Sequence, residues 1–247
     1  MTYRPYGLGL IALLLCAGLA PPVRADAILS TSDSGMWLYG YSHSSPGYFH
    51  YTTTTYNSSN QVSGSQSYSS SSDSVSGFSS GFASVSPSTS GFSQIQSVTT
   101  AQAFASGSNT SSYFATGHYW TFTVSQPTSI TLTFQSNSSS AHYGEFGGAG
   151  GYNAVGLYSY SQGIYVYTSY QSSTKTISLA PGTYYLYEYS GAYAWNYSFG
   201  LGGATASAML SATVSHAPEP GSLALMTLGA SALGWFGFRR RPLPIRP

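Results

Sequence analysis

Between residues 119 and 134 the chain alternates large apolar side chains with threonines, and this pattern restricts the fold more than any other feature. The apolar positions are Trp120, Phe122, Val124, Ile130, Leu132 and Phe134. Successive side chains of a strand point to opposite faces, so a period of two predicts strands with one buried face. Gln126, Pro127 and Thr128 interrupt the pattern as a turn. The segment therefore predicts two antiparallel strands.

Similar segments recur along the chain. Aromatic and β-branched residues on both sides of Pro46-Gly47 predict two strands and a turn over 36–56. Further strands are predicted at about 154–160, 163–168, 184–189, 195–199 and 206–214, and Ile177 and Leu179 lead into the turn before Tyr184. Turn signals separate them, among them Pro181 followed by Gly182. Eight or so short strands without a helical pattern predict an all-β fold, an antiparallel β sandwich, with residues 115–215 as its clearest part.

Residues 26–114 are harder to interpret because serine, glycine and tyrosine dominate them. Glycine precedes phenylalanine at Gly77, Gly81 and Gly91, and apolar residues recur between these sites. We predict strands over 75–105 and disorder over 57–74, where the composition is that of a flexible linker. By the same criterion, residues 136–153 are predicted to form a polar, glycine-rich loop.

The N-terminus has the features of a signal peptide over residues 1–25. Arg4 precedes an apolar segment from Leu8 to Leu19, which is short for a membrane span. Small residues allow signal peptidase to cleave after Ala25 or after Ala27. Cys16, the one cysteine, lies inside this segment, so the mature protein is predicted to contain neither a disulfide nor a reactive thiol.

The last thirty residues have three parts in a fixed order. Pro218, Glu219, Pro220 and Gly221 come first, an uncharged apolar run over 223–238 follows, and Arg239, Arg240 and Arg241 come next. The run is near the lower length limit for a transmembrane helix. Arginines directly after it predict that this end stays cytoplasmic and that the preceding chain is exported.

This arrangement resembles the PEP-CTERM sorting signal of bacterial surface proteins. The resemblance implies export through the Sec translocon and an inner-membrane intermediate, followed by cleavage near Pro218–Gly221 by an exosortase, a membrane-embedded protease. It further implies a final location at the cell surface or in the exopolysaccharide matrix of a Gram-negative bacterium. The alternative is a plain membrane anchor that nothing cleaves. Residues 115–215 also resemble jelly-roll-like sandwiches of such proteins, which implies a binding or structural module.

Charge is scarce and unevenly placed. The chain has 7 Lys and Arg against 6 Asp and Glu, and Lys175 is the one basic residue between the two signal segments. A mature region this poor in cations excludes nucleic-acid binding through a basic patch. Its abundant serine, threonine, glycine and tyrosine suit an extracellular β protein.

Candidate catalytic residues are few. His142 and Glu145 lie three apart and could share a metal, but a solvated loop accounts for them far better. Glu145 and Glu188 are the pair of carboxylates that a glycosidase would need, and they are chosen only because acids are so rare. No serine stands out as an esterase nucleophile. We therefore predict no enzyme activity, no cofactor and no metal.

Tyrosines provide the remaining candidate site. Tyr185, Tyr187 and Tyr189 are predicted to share one face of a strand, opposite Tyr184, Leu186 and Glu188. Flat aromatic faces stack on sugar rings, so this face is a candidate for glycan stacking and for an adhesin that binds polysaccharide. The alternative is that these tyrosines pack across neighbouring strands with their hydroxyls in water.

Overall fold

The alternating segment at 119–134 forms parts of two long strands, and strands also account for most of the chain around it. The computed structural model describes residues 27–43, 48–55, 61–69, 75–88 and 91–215. In these residues the strands are β1 (Ala27–His43), β2 (Tyr48–Thr55), β3 (Gln61–Ser69), β4 (Val75–Ser88), β5 (Gly91–Ser106), β6 (Thr110–Val124), β7 (Thr128–Tyr143), β8 (Gly147–Ser159), β9 (Ile164–Ser169), β10 (Ser173–Leu179), β11 (Gly182–Asn196) and β12 (Leu201–Ser215).

The strands form two six-stranded sheets in which all pairs are antiparallel. Sheet A has the order β2-β1-β6-β11-β8-β9, and sheet B has the order β10-β7-β12-β5-β4-β3. The predicted all-β, antiparallel fold is therefore confirmed, while its jelly-roll-like character stays a prediction. Both 26–114 and 115–215 contribute strands to each sheet.

Large apolar side chains from both sheets meet at one end of the interior. This large-residue end includes Trp120, Phe122, Ile130, Leu132, Leu157, Leu186 and Leu210. Each has at most 2% of its surface exposed. Because the same cluster takes residues from sheet A and from sheet B, the two sheets pack face to face as a sandwich.

Small residues fill the opposite end of the interior. This alanine end consists of Ala101, Ala103, Ala105, Ala192, Ala194 and Ala204. Here a Cβ added at Gly151 of sheet A would lie 2.2 Å from the carbonyl oxygen of Thr205 in sheet B. Cα atoms of β5 and β11 also approach within 8 Å, closer than the usual spacing of about 10 Å between packed sheets.

Glycines of β4 make room for large side chains of β6. A Cβ at Gly77 would lie 1.9 Å from the ring of Phe114, and one at Gly81 would lie 2.8 Å from Nε2 of His118. The repeated Gly-Phe pairs of the sequence thus place glycine inward and phenylalanine outward on β4. The third pair differs, because Phe92 is buried and Gly91 has a φ of +144°.

Three sequence predictions need correction. The predicted loop at 136–153 consists mainly of the strands β7 and β8, and β3 occupies 61–69 within the segment predicted to be disordered. The aromatic segments 184–189 and 195–199 are joined, because β11 continues from Gly182 to Asn196. Small inward residues suit a closely spaced sandwich, but in the sequence they have the composition of a linker.

Two other predictions, the signal peptide over 1–25 and the membrane helix over 223–238, lie outside the described residues. Among the residues that are described, no helix has the length and apolar character that a membrane span requires. The strands predicted on both sides of Pro46-Gly47 are present as β1 and β2, and those predicted over 75–105 are present as β4 and β5.

Candidate functional site

The outer face of sheet A carries a continuous group of aromatic rings. Tyr185, Tyr187 and Tyr189 lie side by side on β11, as predicted, with ring centroids 6.0 Å apart at each step. The group, which we call the aromatic face, also includes Trp37, Tyr113, Tyr119, Tyr152, Tyr158, Tyr165, Tyr193 and Trp195. It extends from β1 across β6 and β11 to β8 and β9.

Glycines on the neighbouring strand lie beneath several of these rings. A Cβ at Gly156 would be 2.5 Å from atoms of the Tyr187 ring, and one at Gly191 would be 2.3 Å from Tyr152. Trp37 lies over Gly117 in the same way. An aromatic ring that packs over a glycine of the adjacent strand covers the backbone there. Because it is held against that backbone, the ring loses most of its freedom to rotate. The aromatic face is therefore fixed in position before any ligand arrives.

Tyr113, Tyr152, Tyr187 and Tyr189 of this face are neutral at physiological pH, because the pKa of each is raised. Burial raises the pKa of Tyr187 and of Tyr189 above the ordinary value of 10.0, and nearby tyrosines raise it further. The pKa of Tyr152 is raised by burial and by its hydrogen bond with the Tyr113 hydroxyl. Phenol groups that do not ionise supply hydrogen-bond donors and acceptors without charge.

Charged side chains are few in the described part of the chain. Over the described residues the charged residues are Asp33, Glu145, Lys175 and Glu188. Glu188 is fully buried between the sheets, and the other three are exposed on β1, on the β7–β8 turn and on the edge strand β10. A ligand of the aromatic face consequently meets hydroxyls and rings.

A layer of buried polar residues separates the two ends of the interior. The Ser97 hydroxyl donates a hydrogen bond to Oε2 of Glu188, and the Thr99 and Ser190 hydroxyls are 2.7 Å apart. Ser190 also donates to Asn153 at 2.6 Å. We call this layer the polar belt; it crosses from β5 in sheet B to β11 and β8 in sheet A.

Two titratable groups of the polar belt have unsatisfied atoms. His118 and Glu188 are opposite each other on β6 and β11, and both are fully buried. Neither Nδ1 of His118 nor Oε1 of Glu188 has a hydrogen-bond partner. Burial raises the pKa of Glu188 to about 7 and lowers the pKa of His118 to about 4, since each charged form loses its water.

The candidate catalytic residues do not come together in a shared site. His142 contacts Asn196, with Nε2 and Oδ1 3.0 Å apart, while Glu145 is exposed on the turn. Glu188 is on the inner face of sheet A, where a glycan substrate has no access to its carboxylate. In the part of the chain that is described, no group of three or more potential metal ligands occurs.

The comparisons with known proteins concern the C-terminal end. Residues 216–241 match the model of the PEP-CTERM protein-sorting motif. The chain carries a PEP-CTERM motif. It covers the tripeptide Pro218–Pro220, the apolar run 223–238 and the arginines 239–241, which the sequence had singled out in that order. No curated protein and no solved structure matched the chain.

A PEP-CTERM motif implies export, membrane-associated sorting toward the cell surface and processing by an exosortase. The motif itself lies outside the described residues. Its position relative to the fold is nevertheless informative, because β12 ends at Ser215 and the match begins at residue 216. The sheet is therefore complete before the sorting motif starts.

The tyrosines of β11 were predicted from the sequence, whereas the glycines beneath the rings were not. Gly117, Gly156 and Gly191 are on three different strands, and only the strand register shows which ring each one supports. The polar belt was not predicted as a unit either. A signal for it existed, because Glu188 was predicted to share a face with Leu186, which is buried.

Proposed function

We propose that the protein is a non-enzymatic surface or extracellular-matrix protein that an exosortase cleaves near Pro218–Gly221. The observation that carries this proposal is the boundary between the last strand and the motif. β12 is an interior strand of sheet B and ends at Ser215. Cleavage three or more residues later removes the apolar run 223–238 and leaves every described strand intact. The apolar run then serves only as a sorting signal.

The proposed route begins with the Sec translocon and signal peptidase. The chain then stays in the inner membrane through residues 223–238, with Arg239–Arg241 in the cytoplasm, until exosortase releases the β sandwich outward. The absence of catalysis is supported by the burial of Glu188 and by the scarcity of other carboxylates. The competing possibility is a β domain that stays anchored in the membrane.

The test is the mass of the C-terminal peptide of the protein recovered from the surface of its native cells. We expect a peptide that ends near Pro220. The variant Pro218→Ala should accumulate uncleaved in the inner membrane, while Ser215→Ala, just before the motif, should be processed normally. A wild-type surface peptide that retains Trp235 and Arg239 would contradict exosortase processing and favour the permanent anchor.

A second candidate function is polysaccharide binding through the aromatic face. It is supported by the glycines that hold the rings of Tyr152 and Tyr187 in place, because a rigid platform loses little entropy when it binds. Neutral phenols at its surface suit a ligand rich in hydroxyl groups. If these tyrosines only pack across strands, no polysaccharide should bind to the aromatic face.

Exopolysaccharide purified from the producing cells is the appropriate probe for this second function. We expect Tyr187→Ala to weaken binding, and Tyr187→Phe, which keeps the ring over Gly156, to retain most of it. Tyr143→Ala is the matched control, because Tyr143 is 68% exposed and lies on β7 of sheet B, away from the aromatic face. Equal binding by all three variants would leave only the structural role for the aromatic face.

A further inference from the structure

The outer face of sheet B has two hollows along the same four strands, β4, β5, β12 and β7. The larger, of about 510 Å³, is lined by Phe78, Gln102, Phe104, Ser139, Gly203 and Thr205, among others. The smaller, of about 230 Å³, is lined by Phe82, Gln96, Val98, Thr133, Gln135 and Met209, among others. Ligand pockets commonly have volumes of about 300–1,000 Å³, so the larger hollow falls within that range.

Strand register arranges the side chains of this face in rows across the sheet. One row is Phe82, Val98, Met209 and Gln135; the next is Ser80, Thr100, Ser207 and Asn137; the third is Phe78, Gln102, Thr205 and Ser139. Successive rows lie two residues apart, which is about 6.8 Å along a strand. The two hollows therefore lie in line along the strands, and between them is a row of hydroxyls and one amide that lines neither hollow. We call the two hollows together with this row the cleft.

The apolar row is unusually exposed for a sheet whose surface is mostly hydroxylated. Phe82 is 44% exposed, Val98 39% and Met209 52%. These three side chains are direct neighbours on adjacent strands. A contiguous exposed apolar patch with a polar rim marks an interaction site more often than scattered apolar residues do.

The chemistry of the cleft selects its ligand. Aromatic and aliphatic side chains alternate along it with the amides of Gln102 and Gln135 and with hydroxyl groups, and no charged residue of the described strands projects from it. The apolar face of a pyranose ring packs on aromatic and aliphatic side chains, and the sugar hydroxyls form hydrogen bonds with amides and hydroxyl groups. A charged polymer would find no counter-charge there, which disfavours nucleic acids and acidic glycans.

We propose that this cleft binds a linear, uncharged polysaccharide with the sugar chain parallel to the strands. From the row of Met209 to the position of Gly203 the cleft spans six residues of β12, or about 20 Å. Its width across four strands is about 14 Å. Several sugar rings in line fit within these dimensions, with Phe78 and Phe82 along one wall.

This site is distinct from the aromatic face, because the two lie on opposite outer surfaces of the sandwich. It goes beyond the proposed function and does not depend on glycan binding by Tyr187. A protein with both sites would hold two polysaccharide chains at once, one on each side. Such bivalence raises the effective strength of attachment to a matrix without any further contact.

The test measures binding of the full-length protein in detergent to cellohexaose and laminarihexaose as neutral probes, with hexagalacturonate as the acidic control. We expect Phe78→Ala and Gln102→Ala each to weaken binding of a neutral probe about tenfold. Thr213→Ala is the matched control, because Thr213 is exposed on β12 beyond both hollows. Tyr187→Ala should bind as the wild type does.

Met209 provides a measurement that needs no variant. Its thioether is exposed in the cleft, so a bound neutral hexasaccharide should slow its oxidation by hydrogen peroxide.

Binding lost only in Tyr187→Ala would overturn the cleft as the binding site and support the aromatic face instead. No binding of either neutral probe, preference for hexagalacturonate, or dimerisation that Met209→Ala abolishes would each overturn the proposal, the last in favour of a contact between copies.

Discussion

The two ends of the sandwich interior join the same two sheets in different ways. At one end Leu186 and Trp120 lie among other large apolar side chains, and the burial of their surface supplies the attraction. At the other end Ala192 and Ala101 bring the sheets so close that Gly151 faces the backbone of Thr205. There the contact depends on close van der Waals packing of small groups.

The difference shows why a chain this poor in large apolar residues can still form long sheets. Each of β5 and β11 passes through a large-residue segment, a polar segment and an alanine segment in turn. On β11 these are Leu186, then Glu188 and Ser190, then Ala192. One strand therefore experiences three environments, and each of them has a different sensitivity to substitution.

The largest expected effect is at the large-residue end. Leu186→Ala leaves a cavity among neighbours that cannot close it, and we expect the free energy of unfolding to fall by about 2–5 kcal/mol. Ala192→Gly on the same strand should cost less, about 1–2 kcal/mol, since it removes one buried methyl group and adds backbone freedom. Urea denaturation measures both. Equal losses would mean that the two ends are packed alike.

The polar belt between the ends should respond to pH. The unfolded glutamate ionises near 4.5 and folded Glu188 near 7, so Glu188 makes stability fall as the pH rises from 4.5 to 7. Unfolded histidine binds a proton below 6.5 and folded His118 only below about 4, so His118 makes stability fall as the pH drops from 6.5 to 4. In the wild type these two trends oppose each other over most of their range.

Glu188→Gln removes one trend and exposes the other. The variant should gain stability on the order of 3 kcal/mol between pH 4 and pH 6.5, because a pKa difference of one is about 1.4 kcal/mol. His118→Gln is the reciprocal variant and should lose a similar amount between pH 4.5 and pH 7. Denaturation curves at several pH values test both, and parallel pH profiles for the two variants would refute the assignment.

A methyl group at Gly151 should separate the sheets at the alanine end. Its Cβ would lie 2.2 Å from the Thr205 carbonyl oxygen, a backbone atom that cannot rotate away. We expect Gly151→Ala to cost about 1–3 kcal/mol, the usual range for overpacking. The control is Gly203→Ala on the outer face of sheet B, where the nearest atom to the added Cβ would be Cδ2 of Phe104 at 3.8 Å, an ordinary contact. A control that is equally unstable would argue against a difference between interior and exterior.

The smallest effect on stability is expected on the outer face of sheet A, on the other side of the sheet from the alanine end. Tyr113→Phe removes the hydrogen bond between the Tyr113 and Tyr152 hydroxyls, and we expect a loss of about 0.5–1.5 kcal/mol. The pKa of Tyr152 should fall toward its ordinary value, because Tyr113 contributes to raising it. Absorbance titration of the tyrosines at high pH measures this shift. An unchanged titration curve would mean that the two hydroxyls do not interact.

Strands with large apolar side chains were predictable from the sequence, whereas strands built mainly of small residues were harder to predict. Strands that contribute Trp120, Phe122, Ile130 and Leu132 were predicted from their alternation alone. The segment 136–153 was mistaken for a loop because glycine, serine and alanine there give no contrast between faces. The partners of Tyr187 could not be predicted either, since the glycine beneath it belongs to a strand about thirty residues away.

The sequence by itself determined the all-β class, the scarcity of charge, the outward direction of the β11 tyrosines and the C-terminal sorting motif. All of these depend on residue type and local order along the chain. The tertiary structure alone decided the close approach of the sheets, the glycines under the rings, the buried positions of His118 and Glu188 relative to each other and the cleft on sheet B. Each of these is set by strand register, which joins residues far apart in the chain and leaves no local pattern.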